Sequence, residues 1–414
     1  QGSVQIYLGG VQATSLKDVN GVHTETITIT SGNSILYVYG VSNFTGSIDN
    51  IVVNEVKTDT PRIDFTDNTD GHLLLEPQST NLLPYSEDFS QWSLDDVTVV
   101  SNATTSPNGD TSASLIIGNT NASRHNVVKT GLTNTVTASY SLFAKAKELR
   151  YLQIASVNST DQIANFDLLN GTIGTVGAGF SDVVLEEYPN DWYKISLVSL
   201  NRYNSFYISL VSSTTASWLE SWAMPNSTDG LYIWGAQLEE LSHSTSYIPT
   251  NGSTVTRDAE TCNNSGSSAD FNSEEGVLYA EIAALRQVND NLQFLAINSS
   301  SYTQNSIYIQ LRGSANQIGV WAYSNGSNEV AEPITLTDVT AFNKIAIRWK
   351  VNDFNVFING TSVFTDTSYN APTSNSLNTL EFARGGASNI YCKCKALRVY
   401  KEALSDTDLQ NLTS

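Results

Sequence analysis

The sequence predicts an all-β protein built of tandem antiparallel β-sandwich domains and ending in one short helix. Three observations carry this. Short segments of alternating apolar and polar residues recur along the chain, bounded by Gly, Asn and Asp turn signals. Only 15% of the 414 residues are charged, while Ser, Thr, Asn and Gly are abundant, a composition of β surfaces and turns rather than of solvated helices. The length exceeds what a single core fills, so several domains are expected. With 40% hydrophobic and 10% aromatic residues, those domains can bury real cores.

The elements follow in chain order. In residues 1–56, the segments 4–8 (VQIYL), 25–30 (ETITIT) and 34–39 (SILYVY) alternate as short strands. Residues 57–79 read as a linker whose apolar residues pack on the domain that follows. The second domain, 80–258, has its clearest strands at 137–144, 151–154, 165–168, 191–198 and 205–210, with turns at Asn170-Gly171 and Asn190-Asp191. The segment 231–240 (LYIWGAQLEE) closes it. There strict alternation would send Tyr232, Trp234 and Ala236 to one side and Ile233, Gly235 and Gln237 to the other. The third domain, 259–414, has strands at 276–282, 306–311, 317–323, 343–350 and 354–360. Its end predicts a helix, with Ser405 as N-cap, Asp408 three residues on, and Leu409 and Leu412 as one apolar stripe.

Several phrases resemble known modules. LYIWGAQLEE at 231–240, with SYIPT at 246–250 and TVTRD at 254–258, resembles the closing phrase of a carbohydrate-binding-type jelly roll common in bacteriophage virion proteins. Glu260 follows Ala259 where that family often has Asp. The segment 62–92, with RIDF, LLLEP, TNLL, SEDF and Trp92, resembles the leader preceding the same module. FTGSIDNIVVNEV at 44–56 resembles the last strand of a jelly-roll carbohydrate-binding module, with too few residues before it for the whole roll. NKIAIRWK at 343–350 and FNVFING at 354–360 resemble the central hairpin of concanavalin-A-like or laminin-G-like jelly rolls, and the ending at 396–412 fits that family too. The resemblance implies a non-enzymatic structural protein of the virion surface: a fibre, appendage or capsid decoration that adheres to host-surface or environmental glycans. Other virion proteins and further copies of the chain would be its partners, a trimer being frequent in fibres. The alternatives are a secreted bacterial carbohydrate-binding protein, a purely architectural virion protein and a polysaccharide depolymerase.

Charge and motif content narrow the chemistry. Asp and Glu number 41 against 21 Lys and Arg, a net charge of -20. A groove that tracks phosphates needs clustered cations, and none is visible, so nucleic-acid binding is not expected. No apolar run reaches membrane-spanning length. The chain begins with Gln1, and the expectation is a processed product or the C-terminal part of a longer protein. His23, His72, His125 and His243 show no zinc or triad spacing. Glu186-Glu187, Glu239-Glu240 and Glu274-Glu275 are adjacent, and neighbours on a strand face opposite sides, the wrong geometry for a two-carboxylate glycosidase. Cys392 and Cys394 share a strand face. A disulfide from Cys262 to that pair fits their placement, while no His completes a zinc set.

Two sites remain to be tested. Sugars are held by an aromatic face against the pyranose ring and by polar groups on its hydroxyls. Trp192, Trp234 and Trp349 sit in apolar strands and read as core. Trp218, Trp222, Tyr203, Trp321 and Tyr323 lie in less apolar settings and are the glycan-binding candidates. Asp64, Asp67, Asn68 and Asp70 form an oxygen-rich loop that suits a structural Ca²⁺, or simply a turn. No other cofactor is expected.

Overall fold

Alternating segments become strands wherever a second sheet takes up their apolar side. The computed structural model describes residues 2–13, 17–18, 23, 27, 35–41, 43–49, 51, 53, 62–65, 70–132, 137–156, 160–200, 204–287, 293–299, 301–384 and 388–414. It divides into the units 1–57 and 58–414. The fold is all-β with antiparallel sheets and one short C-terminal α-helix.

The unit 1–57 holds a three-stranded sheet in which Ser3–Leu8 lies between Val11–Gln12 and Leu36–Val41. Tyr7, Tyr37 and Tyr39 cluster on it. Most of the predicted strand 25–30 lies outside the described residues. The described residues of 44–56 form no strand. Asn43 has a positive φ, and Phe44 packs against Gly40 and Gly46, so the segment folds on itself instead of extending.

In the unit 58–414, the first sandwich packs two six-stranded sheets face to face. One sheet runs in the order Thr172–Val176, Ile163–Asp167, Tyr151–Ala155, Ser205–Leu210, Asn126–Thr130 and Ser93–Asp95. The other runs Phe180–Tyr188, Trp192–Ser199, Ala138–Lys145, Gly230–Glu239, Ala113–Gly118 and Val97–Thr104. The chain passes repeatedly from one sheet to the other, so each buries its apolar side against its partner, as sandwiches require. Tyr140, Phe166 and Phe206 fill the space between. Trp192 and Trp349 are fully buried and Trp234 nearly so, as their strand context predicts.

The alternation predicted for 231–240 breaks at Gly235. That residue has φ +64°, and the pairing register of Gly230–Glu239 on Ala138–Lys145 shifts there. A bulge inserts one extra residue and reverses the facing of everything after it. Leu231, Ile233, Ala236 and Leu238 therefore all enter the core, while Trp234 joins a separate cluster with Phe143 and Trp192. Trp234 and Ala236 do not share a side.

The second sandwich packs a seven-stranded sheet on a five-stranded one. The larger sheet runs Thr361–Asp366, Phe354–Ile358, Asn343–Lys350, Glu275–Ala284, Cys392–Tyr400, His72–Leu74 and Arg62–Asp64. Its last two strands come from the predicted linker. Leu74 pairs with Lys393 and Leu73 with Cys394, and Leu75 is buried in this core. The linker's apolar residues thus complete the distant C-terminal sandwich, not the domain that follows them. The strand Cys392–Tyr400 would otherwise expose an edge of unpaired backbone groups. Cys392 and Cys394 are buried in the same core with Cys262 packed against it, all three as thiols. Burial pushes Cys394 up to about 12.

The helix Asp406–Thr413 starts as predicted, with the Ser405 hydroxyl accepting from the Asp408 N–H at 3.2 Å. Leu409 is buried against Val277, Tyr279, Ala346 and Phe357 on the outer side of the seven-stranded sheet.

The signature phrase and the leader meet between the sandwiches. Val255–Arg257 pairs with Ser79–Asn81. Glu260, 2% exposed, accepts from the Glu76 N–H at 2.7 Å and pairs with Arg62, while Arg257 pairs with Glu76 at 2.9 Å. Gln237 accepts from the Ile248 N–H at 2.6 Å, and Glu239 from the Ser79 hydroxyl at 2.6 Å and the Thr245 N–H at 2.9 Å. Tyr247 packs on Trp234 and bonds Ser86 and Glu87. These residues form a clamp that satisfies buried polar groups.

Candidate functional site

Each sandwich has two outer sheet faces, and what covers them decides where a ligand meets a built surface. Helix Asp406–Thr413 covers the seven-stranded sheet. In the first sandwich one outer face carries the Phe143, Trp192 and Trp234 cluster with Tyr247 against it. The other is covered by the segment 211–224. There Asn165 Nδ2 donates to the Ala216 carbonyl at 2.8 Å, and Gln153 Oε1 accepts from the Leu219 N–H at 2.8 Å.

The outer face of the five-stranded sheet is different. Its strands send Ile307, Ile309, Leu311, Ile318, Val320 and Ala322 into the core. The alternate positions therefore carry Tyr308, Gln310, Gly319, Trp321 and Tyr323 outward. Phe294, Ala296, Tyr308, Trp321 and Tyr323 make one cluster there. Trp321 pairs directly with Tyr308 across the strands, their rings within 7° of parallel and 6.3 Å apart. On the other side Trp321 pairs with Ala331, an exposed residue with a small side chain, and Trp321 itself is half-buried.

One position away, Gln310 pairs with Gly319. A Cβ on Gly319 would sit 2.8 Å from Trp321 Nε1 and 3.0 Å from Gln310 Oε1. Both of those atoms are buried and neither has a hydrogen-bond partner. A buried donor and a buried acceptor without partners are costly, typically about 1–3 kcal/mol each. Here both close on Gly319, whose lack of a side chain lets the indole edge and the amide pack against the strand. A single hydroxyl could satisfy both, since it accepts and donates at once.

Next in the row, Gln310 pairs with Phe294. Arg384 lies over the Phe294 ring at 4.1 Å and over the Tyr302 ring at 4.4 Å. Burial raises the Tyr308 hydroxyl's pKa, and a hydrogen bond from Arg384 works in the opposite direction. Glu381, on the same face, is 2% exposed and bonded by Asn298 Nδ2.

The structure brings Trp321 and Tyr323 together and places the other candidates elsewhere. Trp218 is half-buried, donates from Nε1 to the Ser156 carbonyl at 3.2 Å, and has Arg124 over its ring at 4.9 Å. Trp222 donates to the Leu210 carbonyl at 3.0 Å and meets His125 edge-on. Both anchor the segment 211–224 to the sheet. Tyr203 lies outside the described residues, as do Asp67 and Asn68 of the calcium candidate. Asp64 ends a strand beside His72 Nε2 at 3.5 Å, and Asp70 stands in the turn before it. Among the described residues no three His, Cys, Asp or Glu side chains converge as a metal site. Sequence reasoning missed Gln310, Gly319, Tyr308, Phe294, Tyr302 and Arg384. Period-two counting could have found the first three; nothing local marks Arg384.

No family model matches this chain. No curated protein matches it either. Solved structures resemble it only in part. The Ruminococcus gnavus IT-sialidase CBM40 bound to α2,3-sialyllactose is 14% identical, covers 37% of this chain and 94% of its own, and has a TM-score of 0.30. Domain 4 of AbnA, a GH43 extracellular arabinanase from Geobacillus stearothermophilus in complex with arabinotriose, is 13% identical over 40% of this chain and 74% of that one, TM-score 0.30. The leech intramolecular trans-sialidase is 18% identical over 37% of this chain and 26% of that one, TM-score 0.30.

Proposed function

We propose that the protein is a non-enzymatic glycan-binding adhesion protein whose sugar site is the outer face of the five-stranded sheet. The observation that carries this reading is the half-buried Trp321 beside the small, exposed Ala331, with Trp321 Nε1 and Gln310 Oε1 left without partners at Gly319. An aromatic side stacks on the apolar C–H face of a pyranose, and a fixed donor–acceptor pair orients one hydroxyl; together these are what a sugar site needs. The non-enzymatic part is supported by the adjacent carboxylates: Glu239 is buried and held by Ser79 and Thr245, while Glu240 is exposed. A phage virion role, as a fibre, appendage or decoration subunit on the virion surface, belongs to the same proposal. It is supported by the phrase 231–258, and a weak site multiplied over many copies would suit it. A secreted bacterial carbohydrate-binding protein would use the same face.

The test is a glycan array and host-cell pull-down with the full chain, comparing wild type, Trp321→Ala and the Trp218→Ala/Trp222→Ala pair. Loss of about tenfold or more in Trp321→Ala, with the fold intact by near-UV circular dichroism, is the expected result. Binding unchanged in Trp321→Ala but lost in the pair would move the site to the first sandwich. No binding by wild type, even when clustered, would leave an architectural protein.

A further inference from the structure

Asparagine is chemically labile, most of all before glycine, where no side chain hinders the approach of the glycine nitrogen to the asparagine Cγ. Five such pairs lie among the described residues: Asn108-Gly109, Asn170-Gly171, Asn251-Gly252, Asn325-Gly326 and Asn359-Gly360. All five asparagines are exposed, so exposure does not separate them. Side-chain bonds do not single one out either: Asn108 is held by Asp110, Asn170 by Asp167 and Asn359 by Asn343. The glycine N–H does separate them. Gly109 donates to the Ser106 carbonyl at 3.0 Å, Gly252 to the Pro84 carbonyl at 2.7 Å and Gly326 to the Gln304 carbonyl at 2.9 Å. Gly360 donates to the Thr413 hydroxyl at 3.1 Å. Among the described residues the Gly171 N–H meets no acceptor. Its nitrogen is the one not already held by a hydrogen bond.

Asn170 stands in the turn between the strands Ile163–Asp167 and Thr172–Val176. That turn is built around Asp167. Its Oδ1 accepts from the Leu169 N–H at 3.0 Å and the Asn170 N–H at 3.2 Å, and its Oδ2 from Asn170 Nδ2 at 3.1 Å. Asp167 is also paired with Arg150. Thr172–Val176 is the outermost strand of its sheet. We propose that Asn170 is a modification site, the first of these five asparagines to deamidate in the folded chain. The Gly171 nitrogen gives up its proton to solvent base and bonds to Asn170 Cγ; the Cγ–Nδ2 bond breaks and ammonia leaves. Water then opens the cyclic imide at either carbonyl, giving aspartate or isoaspartate with no change of oxidation state. The product loses the Nδ2 donor and sets a second carboxylate beside Asp167, where like charges repel. Isoaspartate also lengthens the backbone between two paired strands. The edge hairpin therefore loosens while the core beneath it stays packed.

The experiment is peptide mapping by mass spectrometry of the full chain held at mildly alkaline pH, folded and in denaturant, with isoaspartate read by methyltransferase labelling. In denaturant the five pairs should react at similar rates. In the folded chain Asn170 should react roughly fivefold faster than any of the other four, the rate equivalent of one backbone hydrogen bond that they must first break. Asn170→Gln should abolish the early product, since the larger ring closes slowly, and leave the other four rates unchanged. Earlier reaction at another of the five, or equal rates at all of them, would overturn the proposal. Asn170→Asp, which reproduces the aspartate product, should quicken hydrogen exchange in Thr172–Val176 and leave Ala138–Lys145 unchanged. Unchanged exchange in both strands would overturn the loosening of the hairpin while leaving the site itself standing.

Discussion

His243 shows how one side chain can set a pH limit. Its ring nitrogens are buried without hydrogen-bond partners. Burial first, and then the charge of Arg286, bring its pKa down from 6.5 to about 4. Between those values the unfolded chain takes up a proton that the folded chain refuses. Stability from this group is therefore complete above about pH 6.5 and is lost as pH falls toward 4, by up to about 3 kcal/mol. Wild type should lose melting temperature between pH 7 and 4.5, and His243→Leu should lose clearly less over the same window; parallel curves would refute the assignment. Much at this scale was legible in the sequence. Trp192 and Trp349 were readable as buried because each sits in a strand with strong apolar alternation. Trp234 was readable as buried but not as facing away from the main core, since the bulge at Gly235 depends on a φ that the letters leave open.

At the scale of elements, strands are legible and their partners are not. The segments 306–311 and 343–350 coincide with the strands Ser306–Leu311 and Asn343–Lys350. The polar strands Val97–Thr104 and Thr172–Val176 were missed, because edge strands bury little and show no apolar period. The leader strand His72–Leu74 was placed on the wrong domain, since nothing in LLL says which sheet edge is open. This placement has a consequence for Leu75, which is 1% exposed in the C-terminal core. Leu75→Ala should cost about 2–5 kcal/mol, and hydrogen exchange should quicken in Cys392–Tyr400 more than in Ala138–Lys145. The opposite pattern would contradict the strand exchange. A fragment starting at residue 80 should likewise be less stable than one starting at 58, by loss of the same strand.

At the scale of the whole unit 58–414, the clamp of Arg62, Glu76, Arg257 and Glu260 ties the two sandwiches through residues far apart in sequence. Removing one partner of a buried charged network leaves the others uncompensated, at about 3–5 kcal/mol. Wild type should melt in one calorimetric transition, and Glu260→Gln should separate it into two. A single, merely shifted transition would mean that apolar contacts alone couple the sandwiches. The phrase 231–260 was the most recognisable part of the sequence, and the structure gives its Gln237, Glu239, Arg257 and Glu260 to this junction rather than to a ligand.

The all-β class, the strand-rich domains, the buried tryptophans and the capped final helix were determined by the sequence itself. Each depends on neighbours within a few residues: a period of two, a turn, a cap. The tertiary structure alone decided that the leader completes the last sheet, and that Trp321, Gln310, Gly319 and Arg384 share one surface. Those outcomes depend on register between strands and on which sheet edge each strand joins, and both arise from pairing across long stretches of chain that local periodicity does not encode.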